Sequence, residues 1–299
     1  MCMIKAYYSA SYGAETETIS MSKLPLIAEG VSREGLAVLV EPKEVDIVGA
    51  LRRLHSPYYV DSFLSGQGRQ ATSNGFKWSE QIRDAVIASN AGMLAGARTA
   101  LEEGVVANIG QGYHHAGWDS GEAYCTFNGL ALVAQENPTK RIFVLDCDEH
   151  QGDGTAEFVE RLNNLWSFSI FGTQMEERRL LSGRANERLV QGWEQYESAL
   201  WDGLISIANV QPDLVLYQAG VDCYEKDGMS QARLSSEQLG QRDRIVFEFL
   251  RDAGIPVLFV MAGGYHQEYA IINHINTFRV AYEVYYGHRK NVNCGTILD

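Results

Sequence analysis

The sequence predicts an α/β protein built on one open parallel β-sheet with helices on both faces. Three observations point there. Apolar runs at Val105–Ile109, Arg141–Leu145, Leu165–Phe171, Asp213–Tyr217 and Pro256–Met261 are short, rich in Val, Ile, Leu and Phe, and lack alternation. That is the pattern of parallel strands buried on both faces. Longer amphipathic stretches separate them, as crossover helices must separate parallel strands. Much of the glycine, 29 residues in all, falls just after the apolar runs, where backbone turns tightly or approaches a ligand.

In chain order, the first helix expected is Val45–Leu54. Ser79–Glu103 reads as a long helix from its length and its Ala and Leu content, with Gly104 as its stop. After the strand at Val105–Ile109 a helix is expected over Ala123–Gln135, and after Arg141–Leu145 another over Thr155–Leu162. Trp193–Ala208 follows the strand at Leu165–Phe171. Ser235 and Gln238 have the spacing of a capping box, so a helix opens there and ends at Gly254. Tyr269–Tyr285 closes the series. With no Pro- or Ser-rich linker, low-complexity tract or repeat, residues 1–299 read as a single domain.

Composition narrows the function classes. A chain of 299 residues with 45% hydrophobic content can bury a large core. Lys and Arg number 25 against 38 Asp and Glu, a net charge of −13, which argues against nucleic-acid binding and favours cationic ligands or basic segments. The cysteines Cys2, Cys125, Cys147, Cys223 and Cys294 form no Cys-x-x-Cys pair and are odd in number, so a reducing compartment is expected. The N-terminus lacks a signal-peptide pattern and no apolar run has membrane-spanning length. A cytoplasmic protein, not membrane-bound, is the expectation.

In open α/β sheets ligands bind beyond the carboxyl ends of the strands, and four of these ends carry ionisable groups. They read Gly110-Gln-Gly-Tyr-His114-His115, Asp146-Cys-Asp148-Glu-His150-Gln-Gly-Asp153-Gly, Gln218-Ala-Gly-Val-Asp222 and Ala262-Gly-Gly-Tyr265-His. Asp146, Asp148 and His150 are spaced by two, so an extended backbone sets them on one side. Asp148 and His150 can then share a metal ion, with Asp222 as third ligand and a position left open for water, as in catalytic zinc sites. Two oxygens and one nitrogen also suit iron(II) or another divalent ion. His114 and His115 need two orienting partners, and Asp146 and Asp153 match them in number. A phenol at Tyr265 can donate to an oxyanion. Any one of these features alone is commonplace; their combination is not.

At these residues the chain resembles the histone deacetylase superfamily, which includes acetylpolyamine amidohydrolases and acetoin-utilisation proteins. The similar segments are Gly-Tyr-His-His-Ala at 112–116, Asp-Cys-Asp-Glu-His-Gln-Gly-Asp-Gly-Thr at 146–155, Gln-Ala-Gly-Val-Asp at 218–222, Gly-Gly-Tyr at 263–265 and His55-Ser-Pro-Tyr-Tyr-Val60. The resemblance implies an arginase/deacetylase-type fold of about eight parallel strands. It implies metal ligation by Asp148, His150 and Asp222, tandem catalytic histidines His114 and His115 partnered by Asp146 and Asp153, and Tyr265 polarising the carbonyl. It places Tyr124 and Gly264 on the substrate tunnel, and it implies zinc as the cofactor, with a structural monovalent cation such as potassium. Gln151, where many members carry a second histidine, is similar to the class IV branch and its bacterial relatives, as are Trp78-Ser79 and Glu102-Glu103-Gly104.

The activity so implied is metal-dependent hydrolysis of an N-acyl amine, acetyl or longer, with acyl-lysine as the first substrate and acetylpolyamines or other small N-acyl amines as the alternative. His115 is the expected base, and it or His114 protonates the leaving amine. A binuclear arginase-like ureohydrolase lacks ligands for its second ion, because Gly152 stands two after His150 and Cys223-Tyr224-Glu225 follow Asp222. An inactive acyl-lysine-binding relative would have lost a ligand or the tyrosine, and all are present.

Overall fold

The computed structural model describes residues 3–43, 46–175 and 181–287. Its strands are β1 (Ile4–Tyr7), β2 (Ala37–Val40), β3 (Val105–Asn108), β4 (Ile142–Asp146), β5 (Leu165–Phe171), β6 (Ala185–Leu189), β7 (Leu214–Gln218) and β8 (Val257–Val260). They form one eight-stranded sheet in the order β2-β1-β3-β8-β7-β4-β5-β6, and every neighbouring pair is parallel. The expected parallel sheet is therefore observed. Three strands were not expected. β1 and β2 are only four residues long, and β6, at the sheet edge, spells Ala-Asn-Glu-Arg-Leu. An edge strand with one face in water needs no apolar run.

The helices are α1 (Lys23–Arg33), α2 (Ile47–Leu54), α3 (Pro57–Ser65), α4 (Glu80–Glu103), α5 (Gly129–Glu136), α6 (Asp153–Arg161), α7 (Gly192–Val210), α8 (Ser236–Asp252) and α9 (Tyr269–Tyr286). They cover both faces. Side chains of α1, α7, α8 and α9 join one core, together with Phe143 and Leu145 of β4. Side chains of α2 to α6 join a second core, together with Ile142 and Val144 of the same strand. The alternation along β4 divides the two cores, as period-two side chains require.

Local chemistry explains the boundaries. Ser79 accepts from the Ile82 amide at the start of α4, and Ser235 and Gln238 form the reciprocal capping box of α8. Gly254, at φ +66°, follows α8. The helix expected over Ala123–Gln135 is shorter: Asn128 caps its start through the Ala131 amide, and Ala123 and Tyr124 have φ of 45° and 67°. Positive φ cannot continue a right-handed helix. Val45, expected to open α2, lies outside the described residues, as do Cys2 and Cys294.

The four strands marked by ionisable groups at their carboxyl ends, β3, β8, β7 and β4, are contiguous in the middle of the sheet. Asn108 is level with Val260, Val260 with Gln218, and Gln218 with Asp146. Four segments far apart in sequence thus end side by side. The chain leaving β3 passes over the ends of β8 and β7 to reach β4, three strand spacings or about 14 Å, a distance the residues from Ile109 to His114 can span.

Candidate active site

β4 ends at Asp146, and the stretch after it is not a continued strand. Side chains hold it instead: the Asp148 amide donates to Asp146 Oδ1 at 3.2 Å, and the His150 amide donates to Asp148 Oδ1 at 3.1 Å. The spacing of two survives through these local bonds. Asp148, His150 and Asp222 are buried, each offering a ligand atom within 4.8 Å of the others. His150 Nδ1 lies 3.2 Å from both Asp148 Oδ1 and Asp222 Oδ2. Only the first contact has hydrogen-bond geometry, so Asp222 Oδ2 is buried without a donor.

Two carboxylates with one orphaned oxygen, facing a single imidazole, form a set that calls for a cation. The charge balance says the same. Burial works against a charged His150, but the adjacent Asp148 and Asp222 carboxylates outweigh it and lift its pKa to about 11, so in this arrangement a proton partly meets the need a metal ion would fill. Burial and the neighbouring Asp148 push Asp222 upward. Burial also opposes ionisation of Asp148, yet His114 and His150 hold its carboxyl well below the usual range. No side chain can fill the space: a Cβ on Gly263 would stand 2.1 Å from Asp222 Oδ2, and one on Gly220 would stand 2.6 Å from Asp148 Oδ2. The residues present fit a divalent ion.

Beside the triad, the two histidines are paired as the sequence suggested. His114 Nδ1 meets Asp146 Oδ2 at 2.7 Å, and His115 Nδ1 meets Asp153 Oδ1 at 2.6 Å. Their ring centroids are 4.0 Å apart, and His115 lies 5.8 Å from the His150 ring. The environments separate their titrations. Burial depresses both, but for His114 the Asp146 and Asp148 charges prevail and raise it to about 9. For His115, burial and the adjacent His114 prevail and lower it to about 4. The two environments push the pair apart, His114 towards the cation and His115 towards the neutral ring. Asp146 is pushed upward by burial, against the pull of His114.

Gly154 lets α6 approach the pair: an added Cβ would stand 2.5–2.7 Å from backbone atoms of His114, His115 and Ala116. Across the site, the Tyr265 ring centroid is 6.4 Å from that of His150. The tyrosine follows Ala262, at φ 53°, and Gly264, at φ 141°. Non-glycine residues at positive φ also include Tyr113, Ala123 and Tyr124. Four of the six such residues in the described chain thus lie in the loops around this site, where strained backbone is commonly kept for function.

Tyr124 is half-buried, its ring 5.0 Å from Phe76 and its amide bonded to the Asn74 carbonyl at 2.7 Å. His55 braces its loop: Nδ1 meets the Gly117 carbonyl at 2.9 Å, and Nε2 accepts from the Asn128 amide at 3.1 Å. The Tyr59 hydroxyl donates to the Thr126 carbonyl. Gly264 is buried against Val221, His274 and Lys23.

Sequence reasoning missed two supports of the tyrosine loop. Lys23 of α1 is buried and donates to the carbonyls of Ala262 at 2.7 Å and Gly264 at 3.1 Å. Burial lowers its pKa to about 8, although Asp222 and Asp148 pull it upward. Asp227 Oδ2 accepts from the amides of Tyr265 at 2.7 Å and His266 at 3.0 Å. Neither residue sits in a motif; Asp227 follows Asp222 by five positions, which is the only signal that could have drawn notice.

The histone deacetylase domain matches residues 18–278. The chain belongs to the histone deacetylase family. It is 30% identical over 248 residues to an uncharacterized protein of Picosynechococcus, covering 79% of this chain and 82% of that one. Acetylpolyamine amidohydrolase 1 of Pseudomonas aeruginosa is 33% identical over 56% of this chain, and the match spans about half, 52%, of the relative. Histone deacetylase 2 of Arabidopsis thaliana is 25% identical over 80% of this chain and 66% of its own length. Among solved structures, an acetylpolyamine aminohydrolase from Burkholderia pseudomallei superposes with TM-score 0.77 at 17% identity, covering 94% of this chain and 99% of that one. The HDA15 HD domain gives TM-score 0.77 at 17% identity, over 95% and 89%. These neighbours share the arginase/deacetylase fold. This histone deacetylase-family hydrolase has no helix among its described residues long and apolar enough to cross a membrane.

Proposed function

We propose that this chain is a mononuclear metal-dependent deacylase whose substrate is the acylated ε-amine of lysine in a peptide or protein. The observation carrying the proposal is the convergence of a buried three-ligand cluster with two buried His–Asp pairs. A divalent ion, zinc by family resemblance, held by Asp148, His150 and Asp222, supplies a Lewis acid that polarises the amide carbonyl and lowers the pKa of water.

The residues of the chain do the rest. His115 enters neutral, its Nδ1 committed to Asp153, so its Nε2 takes the proton of the attacking water and returns it to the leaving amine. His114, its imidazolium favoured by the Asp146 carboxylate bonded to Nδ1, offsets the negative charge that develops beside it. The Tyr265 phenol, its pKa pushed well up by burial, stays protonated and donates to the oxyanion. Tyr124, backed by the buried Phe76 ring, would supply an aromatic wall for an apolar acyl-lysine stem, a role given it by family resemblance. A monovalent cation such as potassium is a further proposal by family resemblance alone.

Acyl-lysine is favoured by the reach of the match to the plant histone deacetylase, 80% of this chain. The second reading, an acetylated polyamine, is favoured by the higher identity, 33%, to the Pseudomonas relative. Hydrolysis of matched acetyl-lysine, long-chain acyl-lysine and acetylpolyamine substrates by the zinc-loaded protein separates them. Tyr265→Phe should cut turnover of the true substrate by about 10²–10³. Equal turnover in that variant would remove the tyrosine from the chemistry, and no hydrolysis across the panel would overturn the deacylase reading.

A further inference from the structure

Beneath the site lies a buried ion pair that the chemistry above does not use. Arg242 and Asp243 are adjacent on α8 and essentially inaccessible, at 0% and 1% exposure. Arg242 Nε donates to Asp243 Oδ1 at 2.9 Å. Its Nη2 is 2.8 Å from the same oxygen but off the hydrogen-bonding direction, so that contact is Coulombic. The hydroxyls of Tyr217 and Thr277 donate to Asp243 at 2.5 and 2.6 Å and fix the carboxylate. On its other edge the guanidinium Nη1 donates to the Gly220 carbonyl at 2.6 Å and the Cys147 carbonyl at 3.2 Å.

Those two carbonyls lie just beyond the ends of neighbouring strands, β4 and β7. Cys147 directly precedes Asp148, and Gly220 is two residues before Asp222. Backbone fixes both carboxylates: Asp148 accepts from Gly263 N–H at Oδ2, 2.8 Å, and from His150 N–H at Oδ1, 3.1 Å, and Asp222 Oδ1 accepts from Glu149 N–H at 3.0 Å. The separation of Asp148 Oδ1 from the orphaned Asp222 Oδ2 therefore depends on how the two chain segments are spaced. Beyond the last backbone tie between them, Cys147 N–H to the Gln218 carbonyl at 3.0 Å, one guanidinium nitrogen is bonded to both segments.

We propose that Arg242 is a positioning residue that holds the two carboxylate ligands at metal-binding separation; this rests on the metal reading given above. Stability alone is a poor reason for the pair, because burying a guanidinium is costly and well-packed apolar residues often serve as well. What the guanidinium adds is a planar donor fork that fastens carbonyls on one edge and a carboxylate on the other. A lysine ammonium, a compact charge on a flexible stem, lacks that geometry.

Zinc affinity by chelator competition tests the clamp, with the visible absorption of the cobalt(II)-loaded protein as a second readout of ligand geometry. Arg242→Lys keeps the charge beside Asp243 but loses the fork, so its zinc Kd should rise about 10–100-fold, as for other residues that orient metal ligands. Its cobalt spectrum should also differ from that of the wild type. Ile207→Ala, a core truncation near the C-terminus of α7 and thus at the opposite end of the sheet, controls for stability; it should lower Tm yet leave both readouts alone. If Arg242→Lys does not fold, Asp243→Asn, which weakens the anchor of the guanidinium, should raise the Kd severalfold. Wild-type affinity and spectrum in the folded arginine or aspartate variant would overturn the clamp, as would equal weakening by Ile207→Ala at matched Tm. Absence of a stoichiometric site in the wild type, or an Asp148→Ala variant that binds as tightly, would instead sink the metal reading and the clamp with it.

Discussion

His114 and His115 are chemically identical neighbours whose surroundings push their titrations in opposite directions. His114 sees Asp146 at 2.7 Å and Asp148 at 3.7 Å, whereas His115 has one carboxylate partner and a cationic neighbour. A proton acceptor must be neutral before the reaction, which selects His115. His115→Ala should lower kcat by about 10²–10⁴ while zinc content, measured by metal analysis, stays at one per chain. A variant turning over at the wild-type rate would place the base elsewhere. His55 offers a different test, remote from the metal ligands. Burial drives its pKa down to about 4 against the pull of the Gly117 carbonyl, from 6.5 in the unfolded chain. Because the folded value is the lower one, unfolding takes up a proton between those values. Stability is complete above pH 6.5 and falls as pH drops towards 4, by about 3 kcal/mol from this residue. Urea unfolding across that range should give a slope shallower by about one proton in His55→Asn; an unchanged slope would clear His55 of the effect.

At the scale of elements, α8 shows how local chemistry writes a boundary. Ser235 and Gln238 satisfy each other's backbone amides, and Ser235→Ala should cost about 1 kcal/mol in urea-unfolding free energy. A change near zero would mean the helix start is held by packing alone. Elements of this kind were legible in the sequence because their causes are local: the capping box of α8, the Ala and Leu content and Gly104 stop of α4, and the apolar strands of the sheet centre. The loop from Gly117 to Asn128 was not. Its Ala and Tyr at 123–124 read as helix, but the backbone there takes positive φ, braced by His55, Tyr59 and Asn74 from elsewhere in the chain. Strands β1, β2 and β6 and helices α1 and α3 escaped for a related reason. Short or half-exposed elements draw their order from neighbours, and the edge strand β6 carries charges because water meets one side of it.

For the whole molecule, ligand linkage gives the broadest test. An ion that binds only the folded chain stabilises it by about 2.7 kcal/mol at a free concentration one hundred times Kd. Melting curves with zinc and with chelator should therefore differ by several degrees, and the difference should vanish in Asp148→Ala. Coincident curves for the wild type would rule out a site of useful affinity. The residues that converge at the candidate site were readable because each sits at a strand end beside glycine. Their buried supports were not. Lys23 reaches carbonyls 239 and 241 residues away, and Arg242 fastens strand ends 95 and 22 residues away. Buried lysine and arginine run against the usual preference of these residues for water, and only the assembled fold reveals what they hold.

The sheet order carries one more consequence, for the timing of synthesis. β7 and β8 lie between β3 and β4, yet the ribosome makes them last. Until residue 218 has emerged the middle of the sheet is a gap two strands wide, and until residue 260 it stays open by one, flanked by apolar edges of the kind that aggregate. The His pair, translated early, has its carboxylates made soon after but no finished surface to rest on. Metal capture should accordingly mark the end of folding, and nascent chains stopped near residue 212 should show neither zinc binding nor solubility in a stalled-translation assay.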